Sequence, residues 1–488
     1  MCTIPIKTYR SFTSIKFLKC KVPDYWKKSI VIPLHKGKNL DKYNVNNYRP
    51  VALTSPVAKL AEKFIFTEIK GFLEYRQVIP SFQHGFRSQK SVITLLVEEF
   101  EDLTLALEEN KCADLLFFDV SKAFDSINIE LLLRKIENFG IGKLSIDWMR
   151  DFLTYRKFSV QVESYQSEFK IYNLGVPQGS ILGPYLYNIY VSDILNGFDL
   201  PNNLSLKQYA DDLQAYSIFE SSDTDLAWKS FDKLIAHLFI WGKKNGLKFS
   251  SEKFELLHLG KNNPKRSYNI NGTIIQPTSC VRNLGLQMAD DLKFHTHINL
   301  KCLSATRRWF NLAKVCRHND ISVLSLIYKQ FVRPILEYPS IIFNPITVTL
   351  INDLERVQRR ITRHILFKAR HKLPLPPYED RIKLLNLETL EARRNKLDMI
   401  FYSKVINNEV QINSNNIPKR VHNINTRFSN KRAKFLPARL NVRRNSFFVR
   451  VPKIFSKLPT QVTNANTSEL LRTYLKPNNT EIPSYRLT

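Results

Sequence analysis

Leu206-Lys207-Gln208-Tyr209-Ala210-Asp211-Asp212-Leu213-Gln214-Ala215-Tyr216 is the stretch on which the fold turns. Apolar and aromatic residues flank an adjacent pair of acids, so it reads as two short strands around a turn. Adjacent acids in a turn are common, because Asp suits turn backbone. On a strand hairpin, however, the two carboxylates are held at one spacing, and like charges held together need a cation. Ninety-two positions before Asp211, Leu115-Leu116-Phe117-Phe118-Asp119-Val120 is a short apolar run with a carboxylate near its end, as in a buried strand with its acid at the rim. If the two strands are neighbours, Asp119, Asp211 and Asp212 converge. Three carboxylates are a ligand set for two Mg²⁺ ions, or for Mn²⁺ in their place, since these cations take hard oxygen ligands and substrate phosphates. Two such ions suit phosphoryl transfer, in which the protein mainly positions the reacting groups.

Working outward, Leu174-Gly175-Val176-Pro177-Gln178-Gly179-Ser180 breaks the chain between these two acidic segments. Gly179 would let backbone approach a nucleotide or template closely, and Gln178 carries both a donor and an acceptor. Phe124 follows Asp119 by five residues and fits either the core or the floor of a sugar pocket. Lys36 and Arg49 are candidate charge clamps for a triphosphate. Ser29 to Leu34 reads as a strand, and residues 56–75 and 91–110 as helices. Asp125 or Ser126 is expected to cap the helix after Asp119, and Gly140 to end it. Residues 158–172 alternate like a hairpin, and helices are expected near 184–196 and 225–246. Phe82-Gln83-His84-Gly85-Phe86-Arg87 is a further basic-aromatic loop.

The charge is uneven. The net charge is +29, and residues 301–488 hold 35 Lys and Arg against 12 Asp and Glu. Such a basic half points to a polyanion, most simply nucleic acid. Its clearest helices are expected at 351–366 and 386–407. Residues 431–450 contain seven Lys and Arg and no acid, with Phe435, Phe447 and Phe448 interleaved, a pattern suited to single-stranded nucleic acid or to nuclear import. The six cysteines lack zinc-ligand spacing, His295 and His297 read as structural, and no apolar run reaches the length of a membrane span. The expected setting is intracellular, and nuclear at the time of action. With 43% hydrophobic residues the chain can bury a sizeable core.

Phe118-Asp119-Val120-Ser121-Lys122-Ala123-Phe124-Asp125, Gly175-Val176-Pro177-Gln178-Gly179-Ser180 and Tyr209-Ala210-Asp211-Asp212 occur in an order that resembles the central blocks of reverse transcriptases. Asn47 to Leu53 and Gln83 to Arg87 resemble the finger blocks of the non-LTR (LINE-type, jockey-like) retrotransposon branch. The resemblance implies an α+β right-hand fold with fingers, a palm built on an antiparallel sheet and a thumb, followed by a mostly helical basic region. It implies an RNA-directed DNA polymerase that takes an RNA template, a DNA primer and dNTPs. Asp119, Asp211 and Asp212 take the metal-ligand places. Phe124 matches the gate against a ribose 2′-OH, and Lys122 and Ala123 match the backbone contact to the triphosphate. Gln178 and Gly179 match the nucleotide and template contact, and Lys36 and Arg49 the finger residues on the triphosphate. Lys253 matches a lysine beside the leaving pyrophosphate, although Ser250 and Phe254 depart from the family's usual neighbours there. Leu284-Gly285 resembles the start of the primer grip, and Val332 to Tyr338, Leu354 to Arg360 and Leu390 to Arg394 resemble the downstream region.

The expected division is a poorly defined segment at 1–22, fingers and palm at 23–288, a helical thumb-like connector at 289–410 and a basic, partly irregular region at 411–488. No endonuclease-like segment precedes the polymerase blocks, which fits a fragment of a larger element, a relic or a partial gene model alike. A catalytically silent nucleic-acid-binding relic of the same fold is the alternative. A maturase- or telomerase-like enzyme is disfavoured, because the RNA-binding regions of those proteins are missing. The oligomeric state is not legible in the sequence.

Overall fold

Leu115 and Leu116 point to opposite faces of one strand, and both are fully buried. That is the mark of a central strand covered on two sides, because successive side chains alternate across a sheet. In the computed structural model, which describes residues 21–37, 40–413, 436–463 and 468–475, this strand is Cys112–Phe118. It is the middle of a five-stranded sheet in the order Pro277–Thr278, Glu255–Leu259, Cys112–Phe118, Asp212–Phe219 and Leu204–Tyr209. Three of its four junctions are antiparallel, and Pro277–Thr278 is parallel to Glu255–Leu259. Leu116, Phe118, Leu213, Ala215 and Leu256 face one core, closed by the helices Pro56–Tyr75, Ile129–Asn138, Lys143–Leu153, Gly183–Tyr190 and Thr224–Asn245. Ala113, Leu115, Tyr216, Leu257 and Leu259 face a second core. The helix Val92–Glu108 lies there, together with the helices that follow residue 294.

A second sheet stands beside the first. Lys28–His35 pairs antiparallel with Tyr48–Thr54 on one edge and parallel with Arg156–Val162 on the other. The alternating stretch at 158–172 folds back in two pieces, Tyr165–Gln166 and Lys170–Tyr172, against the same strand. These are the expected fingers on a palm, and the α+β right-hand reading describes the architecture.

Local chemistry sets the helix ends, with two departures from expectation. Ser55 caps Pro56–Tyr75, whose proline lies in the first turn where a missing N–H costs nothing. Ser91 and Thr94 form a reciprocal capping box on Val92–Glu108. The helix after Asp119 is capped by Asn128, not by Asp125 or Ser126. Asp125 and Ser126 lie in the turn before the helix start, with both N–H groups on the Lys122 carbonyl, and the Asp125 carboxylate instead accepts from the Gln178 amide. Gly140 follows that helix at φ +89°, as a glycine beyond a C-terminus does. The helix expected near 184–196 stops at Tyr190 and gives way to turns.

Beyond residue 294 the chain is helical. His295–Val315, Val348–Lys368 and Leu390–Ile406 are its long members. The short helices Asn441–Arg444, Phe447–Phe455 and Ser468–Tyr474 pack into the same core. Residues 1–20, 414–435, 464–467 and 476–488, and with them nearly all of the segment 1–22 and half of 411–488, lie outside the described residues.

Candidate active site

Two strands of the palm sheet end side by side. In the register of Cys112–Phe118 against Asp212–Phe219, Phe118 faces Leu213, so the next position, Asp119, comes opposite Asp212. In the neighbouring hairpin Tyr209 pairs with Asp212, which leaves Ala210 and Asp211 as a two-residue turn. Ala210 has φ +56°. A positive φ at the first of two turn residues matches the right-handed twist of a tight hairpin. The sheet therefore presents Asp119, Asp211 and Asp212 at one edge of the palm.

Their electrostatics agree with that proximity. Burial lifts the Asp211 carboxyl above its ordinary range, and Asp119 adds to the lift while Arg49 opposes it. Asp212 still meets solvent, yet the protein packed around it, then Asp211 and then Asp119, push it up to about 6. Tyr187 lies fully buried beneath the pair, and its hydroxyl is held protonated by burial and by the charges of Asp211 and Asp212. Nothing in the sequence marks Tyr187 as part of the site. Phe124 stacks on it, with ring centroids 4.8 Å apart, and packs half-buried against the core.

Among the described residues, no group of three Asp, Glu, His or Cys side chains encloses an ion-sized point. The donor chemistry nevertheless fits a hard divalent cation. Asp119 adds to the raised proton affinity of both Asp211 and Asp212, and it already recruits a cation, the Lys253 ammonium, 3.0 Å from its Oδ2. The predicted Lys253 thus lies at the acids.

The loop between the acids is held by protein on both sides. Val176 N–H donates to the Phe124 carbonyl at 3.0 Å, and Ala52 N–H donates to the Gln178 carbonyl at 2.9 Å. Gly179 has φ +124°, and a Cβ there would stand 2.4 Å from the Ala52 carbonyl oxygen. The room that its missing side chain leaves is filled by a finger strand. Lys122, also at positive φ, is exposed, and Ala123 is buried. On the fingers, Arg49 is exposed and close enough to Asp211 to lower its proton affinity. Lys36 donates to the Asn46 carbonyl at 2.7 Å, which ties it into its own hairpin.

The basic C-terminal half divides. Arg356, Arg359, Arg360 and Arg363 line the exposed face of Val348–Lys368. Arg359 stacks on Tyr378 and Arg360 on Phe310. The aromatic-basic pattern at 431–450 is split where it is described: Arg439 and Arg444 are exposed, and the rest of its described arginines and phenylalanines are buried. Phe447 and Phe448 are core residues. Arg443 and Arg450 are buried in ion pairs with Glu101 and Asp398, and Phe435 lies outside the described residues. His297 is buried with its Nδ1 accepting from Gln287 N–H, in line with a structural role.

Residues 35–288 match the model of the family described as reverse transcriptase (RNA-dependent DNA polymerase). The chain is 25% identical to the probable RNA-directed DNA polymerase from transposon BS of Drosophila melanogaster, over 73% of this chain and 40% of that protein. It is 26% identical to the RNA-directed DNA polymerase from mobile element jockey of the same species, over 70% of this chain and 38% of that protein. It is 28% identical to the jockey polymerase of Drosophila funebris, over 69% and 37%. The chain thus spans about two fifths of the length of these relatives. A telomerase structure from Candida tropicalis aligns at TM-score 0.43 and 12% identity, over 97% of this chain and 68% of that one.

Proposed function

The chain belongs to the reverse transcriptase family, matched over residues 35–288, and on that premise we propose that it is the RNA-directed DNA polymerase of a non-LTR retrotransposon. It extends a DNA primer 3′-OH on an RNA template with dNTPs. The observation that carries this reading is the strand register that sets Asp119 beside Asp212, with Asp211 at the adjoining turn. The division into fingers and palm at 23–288, a thumb-like part at 289–410 and a basic region at 411–488 is part of the proposal.

Asp119, Asp211 and Asp212 would hold two Mg²⁺ ions, or Mn²⁺ in their place. Such ions lower the pKa of an attacking hydroxyl and offset charge on the phosphate. The remaining work falls to the chain. Phe124, fixed by its stack on Tyr187, forms the wall that a ribose 2′-OH would strike. Gln178, locked to Asp125, sets the height of the nucleotide floor with Gly179. Lys122 and Ala123 place backbone, and Arg49 and Lys36 place charge, along the triphosphate. Lys253 Nζ, held at Asp119, is placed to give a proton to the leaving pyrophosphate. Incorporation of dTTP on poly(rA)/oligo(dT) in Mg²⁺ tests the reading. Extension by the purified chain supports it, and none by well-folded protein overturns it.

A further inference from the structure

The turn that carries Asp211 is not self-supporting. A positive φ at the first position of a two-residue hairpin turn is a glycine's conformation, and here it is imposed on Ala210. An L residue held there is strained. Contacts from inside and outside the hairpin hold it.

Gln83, 127 residues earlier in the chain, is buried against that turn. Its Oε1 accepts the Ala210 N–H at 3.0 Å and the Gly85 N–H at 2.7 Å, and its Nε2 donates to the Ala210 carbonyl at 3.3 Å. One side-chain amide thus binds both polar groups of the strained residue. The same carbonyl also receives Gln208 Nε2 at 2.9 Å. The backbone around Gln83 is equally engaged. His84 N–H donates to the Gln208 carbonyl at 2.7 Å, and Gln208 N–H to the Phe82 carbonyl at 2.9 Å, so the loop pairs with the outer strand of the hairpin. Gly85 allows the approach, for a Cβ there would stand 2.4 Å from Ala210 N. Asn188, on the helix Gly183–Tyr190, donates to the Gly85 carbonyl at 2.7 Å and closes the clamp from behind. Together these buried hydrogen bonds work against the strain at Ala210.

We propose that Gln83 is a positioning residue for nucleotidyl transfer: its amide holds the Ala210 peptide in the left-handed conformation and so fixes the spacing of Asp211 and Asp212. This rests on the polymerase reading above. The loop thereby links the start of the helix Val92–Glu108 to the reacting centre.

The test compares wild type, Gln83→Met and the double variant Gln83→Met/Ala210→Gly by single-nucleotide incorporation across a Mg²⁺ titration. Displaced acids lower kcat by about 100-fold, raise the half-saturating Mg²⁺ several-fold and leave the dTTP KM within threefold. The Ala210→Gly change recovers at least tenfold in kcat, because glycine adopts the turn conformation without the clamp. Gln83→Met with kcat and Mg²⁺ demand within twofold of wild type overturns the inference. So does a loss that glycine does not rescue. Should Gln83→Met fail to fold, Gln83→Asn, one methylene too short to reach, takes its place. If wild type itself lacks activity the polymerase reading falls, and amide hydrogen exchange then decides on Gln83. Faster exchange across 209–212 in the variant supports the clamp, and unchanged exchange overturns it.

Discussion

Replacing Glu101 with Ala is expected to release the C-terminal helices from the palm. Glu101 and Arg443 are only 1% and 2% exposed. The Glu101 carboxylate receives Arg443 Nη1 at 2.5 Å and the Phe448 N–H at 3.0 Å. Losing it strands a buried guanidinium, which costs about 3–5 kcal/mol, and leaves one buried N–H unsatisfied at about 1–3 kcal/mol more. Arg443 keeps weaker acceptors in Thr104 Oγ1, Ser446 Oγ and the Glu101 carbonyl, so the lower end, about 4 kcal/mol, is the working figure. If the cost falls on local opening of 436–475, the open population rises by about a thousandfold. Proteolysis under native conditions, where cleavage tracks that population, reads it directly. Cleavage within 436–475 should accelerate by about three decades in Glu101→Ala. The double variant Glu101→Leu/Arg443→Met, which removes both charges, should recover most of the loss. Acceleration of less than tenfold, or a double variant worse than the single, would refute the claim that a buried ion pair docks this segment.

Glu99 is wholly buried, and burial lifts its carboxyl to about 8. A folded-state value above the unfolded one means that the native protein binds the extra proton between about pH 4.5 and 8, so stability from this group falls as pH rises through that window. Glu99→Gln should therefore raise Tm more at pH 7.5 than at pH 5.5, with the gap growing by at most about 1.4 kcal/mol per pH unit; equal Tm gains at both pH values would count against it. Gly179→Ala forces a Cβ against the Ala52 carbonyl and strains φ +124°, so a loss of about 1–3 kcal/mol in stability is expected, measured by thermal unfolding. Arg356→Ala with Arg363→Ala should lower the slope of log affinity for RNA against log salt by about 2, and an unchanged slope would remove that helix from the interface.

The acidic hairpin was legible because strand periodicity and two adjacent charges stand out locally, and Asp119 because it lies at the end of an apolar run. The long helices were legible for the same reason, as 56–75 and 225–246 follow their apolar spacing. The clamp at Gln83 to Gly85 left no such trace. Its contacts cross 127 residues and serve backbone groups, which carry no pattern in the sequence, so the loop read only as basic and aromatic. Arg443 and Arg450 misled for a related reason. Composition counts charges but does not pair them, and the acids that take Arg443 and Arg439 sit on Val92–Glu108, more than 300 residues away. Asp125 failed as a cap because the chain makes a turn at Lys122 to Ser126 before the helix starts at Ile129.

Single-turnover incorporation of dTTP on poly(rA)/oligo(dT), by wild type and by Asp211→Asn at saturating Mg²⁺, tests the three-acid centre most directly. Removing one acid from a divalent-cation site should cost about 4 kcal/mol of transition-state stabilisation, a drop of about a thousandfold in rate, with the template-primer affinity unchanged. A well-folded Asp211→Asn protein that retains its rate within tenfold of wild type would contradict it.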